Sequence, residues 1–286
     1  MRNTIKIYNK KIIVNTNSDV LEKNIVNNYT GYESSEHTEK IDLTFNIIID
    51  RELYNNSNIK HLCEIKYSDD NKYLIHKKCI VIINQKEKRV SIIIDIIDNS
   101  IIDNINRIIV NFIYMLLEQE GIFFLEASCV AIGNKAVMLI GDKEFRKKII
   151  YNLLKNDYNY VSVESVGIKY CDNNNIEIIN LPEKTRMRET YGKKLVIGPT
   201  LEKILILKEN TSEKIGYSRV REDEFERIIN LQYYKHKEGY ISYIKKTYQQ
   251  HNIVDYNNIY NNIEIIKLLY NKNDFLEIYK LIKKVI

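Results

Sequence analysis

The chain has 286 residues, 44% of them hydrophobic, which is enough for one large domain or two small ones with a real core and excludes a disordered chain. Its 43 Lys and Arg residues against 38 Asp and Glu leave a net charge of +5, too modest to indicate a general polyanion binder. The four cysteines, Cys63, Cys79, Cys129 and Cys171, show neither close pairing nor metal-ligand spacing, and no apolar signal region opens the chain, so the expected setting is a reducing cytoplasm.

Residues 1–100 read as an antiparallel β-rich region, with candidate strands at 5–15, 40–49, 61–67, 72–83 and 89–97 separated by polar, Asn- and Ser-rich turns. Residues 101–120 are apolar around much of a helical circumference, the signature of a buried helix. The longest apolar run within it, 108–117, contains Asn111 and is too short to span a bilayer, so no membrane segment is expected.

Two β-prone runs, 128–132 and 136–140, are joined by Gly133-Asn134, a hairpin signal. After Gly141 comes Asp142, a candidate N-cap, and then Phe145, Ile149, Ile150, Leu153 and Leu154 at helical spacing. Lys143, Arg146, Lys147 and Lys148 crowd the first turns of that helix. Cations at the positive end of a helix dipole are unfavourable unless an anion, a phosphate or an acidic partner lies nearby. The other reading is a capped surface helix whose lysines are screened by Glu144 and solvent.

Further strands are expected at 160–170, 176–179 and 203–208, and helices from Glu222 onward. The last helix is expected to start near Asn273, with Asp274 in its first turn, and to end with Lys280, Lys283 and Lys284, a charge order that suits its dipole. Three regions result: a β-rich 1–100, a core at 101–225 and a helical 226–286.

The five histidines are scattered, with no zinc-like spacing, and no GxSxG elbow or nucleophilic cysteine context occurs, so no metal site or hydrolase is indicated. Aromatic and basic residues interleave from Tyr233 to Tyr248. With 22 tyrosines in the chain, coincidence explains this better than a nucleic-acid platform, and no nucleic-acid partner is expected.

The strand, glycine loop and helix around Gly141 follow phosphate-loop grammar with altered letters, since GxxxxGK[ST] needs a second glycine, a lysine and a metal-binding hydroxyl. With Leu125-Glu126-Ala127 before it, Ser162-Val163-Glu164 after it, and Pro182 and Arg188 further on, residues 100–225 resemble the HPr kinase-like group of P-loop proteins. That resemblance implies an α/β (α+β) fold with an HPr kinase/PEP carboxykinase-like core, an N-terminal antiparallel β-rich region and C-terminal helices.

The resemblance also assigns roles. Gly141, Arg146, Lys147, Lys148 and Arg188 fall at nucleotide-binding positions, Lys147 matching the phosphate-gripping lysine. Glu164 matches the second acid, the candidate base, and Glu126 stands at the family's histidine position, where it could hold a metal. The family's loop glycine is Arg146, its metal-binding hydroxyl Lys148, and its first Asp Val163. Phosphoryl transfer needs a magnesium ion and a carboxylate base, so these changes imply weakened or lost catalysis. Three readings follow: a degenerate protein that binds ATP, another anion or a peptide as a partner in protein or peptide modification; an active ATP- and magnesium-dependent serine/threonine kinase; or a peptide-docking module without nucleotide.

Overall fold

The computed structural model describes every residue except 30, 31, 33–39, 57–65, 69, 70, 77, 156, 157, 172–174, 181–197, 211–214, 239–255, 272–274 and 286. The chain divides into two compact units, Met1–Leu117 with Tyr240–Gln250, and Glu118–Gly239 with His251–Ile286. The division thus falls at the end of the long helix rather than at residue 100, and the described elements after residue 250 belong to the second unit.

In the first unit, β1 (Arg2–Ile7) and β2 (Lys10–Thr16) form a hairpin, so the single strand expected at 5–15 is two. Tyr8 turns the corner at φ 55°, the left-handed geometry that tight hairpins use. Ser18 then caps α1 (Asp19–Asn28) by accepting from the Leu21 N–H, and Leu21 and Ile25, one turn apart, are buried. Next, β3 (Leu43–Ile49) returns parallel to β2, and Asp50 caps the short α2 (Arg51–Asn56).

The unit continues through β4 (Lys66–Ser68), β5 (Asn71–His76), β6 (Cys79–Asn84) and β7 (Arg89–Ile94), paired antiparallel in sequence. Because β7 docks parallel to β3, the sheet has the order β1-β2-β3-β7-β6-β5-β4 and is mixed, not antiparallel as expected. Likewise, the run at 72–83 is the β5–β6 hairpin.

One face, carrying Ile5, Ile7, Val14, Phe45, Ile47 and Ile92, is buried. The long helix is present as α3 (Asn99–Glu118); its Phe112 meets Phe45 edge-on at 5.9 Å, and its Asn106 donates to Asn24 of α1. By length and composition α3 could cross a membrane, but more than half of that stretch is buried inside the fold, as in a core helix.

The second unit opens with β8 (Phe123–Leu125), β9 (Ser128–Ile132) and β10 (Lys135–Ile140), followed by α4 (Lys143–Leu154). The β9–β10 hairpin pairs antiparallel across Gly133-Asn134 as expected, with Gly133 at φ 56°. Then come β11 (Asn159–Ser162), β12 (Val166–Tyr170), β13 (Ile176–Ile179), β14 (Thr200–Glu209) and β15 (Gly216–Arg219). The strand expected at 160–170 is broken in two at 163–165.

After α5 (Glu222–Glu238) and α6 (Tyr256–Asn262), β16 (Glu264–Tyr270) precedes α7 (Phe275–Val285). The region expected to be all helix therefore supplies a strand. Residues 265, 266, 268 and 269 of β16 are apolar and fit a helical face as well as a buried strand, which is why the sequence misleads there. Asn273 and Asp274, the expected start of the last helix, lie outside the described residues.

β10, β14 and β16 run parallel at the centre of this mixed sheet. Helices cover both faces. Phe145, Ile149, Leu153 and Leu154 of α4 and Ile278 and Ile282 of α7 pack on one. Phe225 and Ile229 of α5 and Ile259 of α6 pack on the other. This three-layer arrangement sets α4 at the carboxyl end of β10, where open α/β sheets place their ligands.

Candidate functional site at the strand-to-helix connection

Only Gly141 and Asp142 separate β10 from α4. Gly141 adopts φ 145°, and a Cβ there would stand 2.5 Å from the Leu207 carbonyl oxygen and 2.9 Å from its Cβ. The glycine is needed for close approach of its own sheet neighbour, β14. Asp142 caps the helix, its carboxylate accepting from the Phe145 N–H at 2.9 Å, while its carbonyl accepts from the Arg146 N–H. A phosphate nest would need residues 143–146 as a loop of inward N–H groups. They are instead the first turn of α4, where the Phe145 N–H is met by the Asp142 carboxylate and the Arg146 N–H by its carbonyl.

The cations of that turn have their own partners. Arg146, wholly buried, is the largest fully buried side chain among the described residues. It donates from Nη2 to Glu126 Oε1 at 3.2 Å and from Nη1 to Ser128 Oγ at 3.3 Å. The Ser128 hydroxyl in turn donates to the Val163 carbonyl oxygen. Lys143 pairs with Glu164 at 3.2 Å, and Lys147 pairs with Glu144 at 3.1 Å and Glu164 at 3.8 Å. Lys148 is exposed.

Of the residues expected at the site, the structure therefore brings Gly141, Arg146, Lys147, Glu126 and Glu164 together, but as one buried ion pair, Arg146–Glu126, and one ion-pair group at the surface around Glu164. Glu126 neutralises a buried guanidinium and is itself held by its N–H donating to the Gln232 carbonyl on α5. Glu164 sits in the break between β11 and β12, where the Ser162 hydroxyl donates to the Ser165 carbonyl and the Asn180 amide to that of Val161. Arg188 and Pro182 lie outside the described residues.

Sequence reasoning missed Tyr270, at the carboxyl end of β16. Its ring stacks on Phe145 with centroids 4.0 Å apart, and its phenol is pushed up to about 12 by burial, with the carboxylates of Asp142 and Glu209 adding to the rise. Cys79 and Cys129 are poor nucleophiles: burial raises the Cys129 thiol well above its ordinary value and pushes Cys79 in the first unit up to about 12, with Asp98 contributing.

Beside the connection, two depressions adjoin along α4. One, of about 360 Å³, is lined by Lys147, Lys148, Tyr151, Asn152 and Phe275. The other, of about 310 Å³, is lined by Asp142, Glu144, Phe145, Lys148 and Phe275.

Among the described residues, those at this connection do not fit ATP with magnesium. The nest is replaced by helix, Gly141 is closed by Leu207, Arg146 is paired with Glu126, and Lys143 and Lys147 are paired with Glu164. Among the described residues no group of three His, Cys, Asp or Glu side chains is arranged to hold a metal.

No family model and no curated protein matches the chain. Among solved structures, the HPr(Ser) kinase/phosphatase from Coxiella burnetii is similar over 56% of this chain and 94% of its own, at 10% identity and a TM-score of 0.31. At that TM-score the likeness carries no argument for function, which rests on the geometry.

Proposed function

We propose that this chain is a catalytically silent α/β protein that acts by binding a protein or peptide partner in protein or peptide modification, without a nucleotide. The observation that carries the reading is the burial of Arg146 against Glu126 and Ser128, directly behind a two-residue connection closed on Leu207. A guanidinium committed to an internal carboxylate cannot neutralise a phosphate without breaking that pair, which costs several kcal/mol. The kinase reading would need Lys147 and Glu164 to serve a phosphoryl group and its proton, yet they face each other at 3.8 Å.

Calorimetric titration of the intact chain with ATP, with and without magnesium and beside a Lys147→Ala variant, tests the proposal. The expected result is no saturable heat in any arm. Magnesium-dependent binding lost in the variant would overturn it and support an ATP-dependent kinase of a protein or peptide; magnesium-independent binding would support an anion-binding role.

A further inference from the structure

We infer that the groove between α4 and α7 is a docking site for an extended, acidic peptide segment of a partner protein that carries an apolar side chain beside its carboxylate. The inference rests on the partner-binding reading and names where and what the protein binds.

The two depressions described above share Lys148 and Phe275 and so form one continuous groove. Their linings run along α4 from Asp142 to Asn152, roughly 15 Å at the α-helical rise, or about five residues of extended chain. That is peptide length.

Among the described residues, the first depression has no carboxylate in its lining. Two lysines and an amide stand there with the rings of Tyr151 and Phe275. Lys148, Tyr151, Asn152 and Lys155 follow one another at helical spacing on one face of α4, and the Lys155 ammonium lies 4.1 Å over the Tyr151 ring, adding positive charge to this end. Lys147 is already paired with Glu144 and Glu164, so an incoming carboxylate is matched here by the ammonium groups of Lys148 and Lys155, and an apolar neighbour by the two rings.

The second depression is bounded by Asp142 and Glu144 and suits the N–H groups or a cation of the peptide, not a second acid. The groove wall is firmly built. The Tyr279 hydroxyl of α7 donates to the Asn152 carbonyl of α4 at 3.0 Å, and Phe275 meets Phe145 edge-on at 5.9 Å. Leu276, beside Phe275 in sequence, is 71% exposed, a large apolar side chain left in water at the start of α7. A nucleic acid is disfavoured by the carboxylates of the second depression.

The test uses fluorescence anisotropy of the intact chain with two labelled octapeptides, one with two aspartates flanking a Phe-Leu pair and one with lysines in place of the aspartates. The acidic peptide is expected to bind saturably and the basic one not. Lys148→Glu should weaken the acidic peptide at least about fivefold and improve the basic one, Tyr151→Ala should weaken the acidic peptide, and Lys86→Glu, in the first unit, should change nothing. Both site variants lie on the surface and should melt as wild type does by circular dichroism.

Equal binding of both peptides, saturable binding indifferent to Lys148→Glu and Tyr151→Ala, or no saturation at about 1 mM protein would each overturn the site. So would complete displacement of the peptide by an oligothymidylate. Peptide binding insensitive to the site variants would leave the partner-binding reading standing. ATP binding in the calorimeter would sink that reading while leaving a variant-sensitive groove intact.

Discussion

Arg146 Nη2 and Glu126 Oε1 stand 3.2 Å apart, the guanidinium wholly buried and the carboxylate about a quarter exposed. The pair joins α4 to the β8–β9 turn, and the arginine depends on it more than the glutamate does, because only the glutamate retains access to water.

Removing the carboxylate should therefore destabilise the second unit. Glu126→Gln is expected to cost about 3 kcal/mol, the low end for breaking a buried pair. Arg146→Leu combined with Glu126→Gln should be less damaging than the sum of the two single changes. Urea unfolding of the four proteins forms the cycle; additive losses would show that the pair contributes no coupling.

Gly141→Ala should lower stability by about 2 kcal/mol or more, since the residue lies in a region of backbone space that side chains avoid and its Cβ would strike the Leu207 carbonyl. A change within a few tenths of a kcal/mol of wild type in urea unfolding would refute the close approach of β10 and β14 there.

Tyr270 makes the protein alkali-sensitive. Its phenol titrates near 10 when unfolded and about 12 when folded, so between those values the folded form holds the proton more tightly. The corresponding stability is fully present below pH 10 and declines as pH rises toward 12. Tyr270→Phe should reduce the fall in urea stability across that window. An unchanged slope would remove the claim.

Asp142→Asn separates the two roles of that residue. The amide oxygen can still cap α4, so stability near neutrality should hold within about 1 kcal/mol. Loss of the charge should let the Tyr270 phenol titrate at lower pH, read from the difference in tyrosinate absorbance between Asp142→Asn and Asp142→Asn/Tyr270→Phe.

How far the sequence could be read follows from how local the signals are. Gly133-Asn134, the Asp142 cap and the apolar spacing from Phe145 to Leu154 act within a few residues, and the hairpin and α4 appear where those signals put them. The inward turn of Arg146 has no local mark, because its partner lies 20 residues earlier and meets it only once β9, β10 and α4 have packed.

The parallel pairing in the first unit was hidden for a similar reason, since alternation in β3 is the same whether its neighbour runs up or down. The short α1 buries only two apolar side chains, Leu21 and Ile25, and leaves its other two, Val20 and Val26, exposed. Crowded lysines suggested an anion, whereas Glu144, within the same turn, and Glu164, in the β11–β12 break, already pair with Lys143 and Lys147.

β16 lies between β14 and β15 although it follows both in the chain. During synthesis the long strand β14 must wait with an unfilled side until residues 264–270 emerge, some 55 residues after it is complete. That delay exposes a hydrophobic ladder to any other extended chain, so the nascent protein passes through an aggregation-prone interval that chaperones would need to cover.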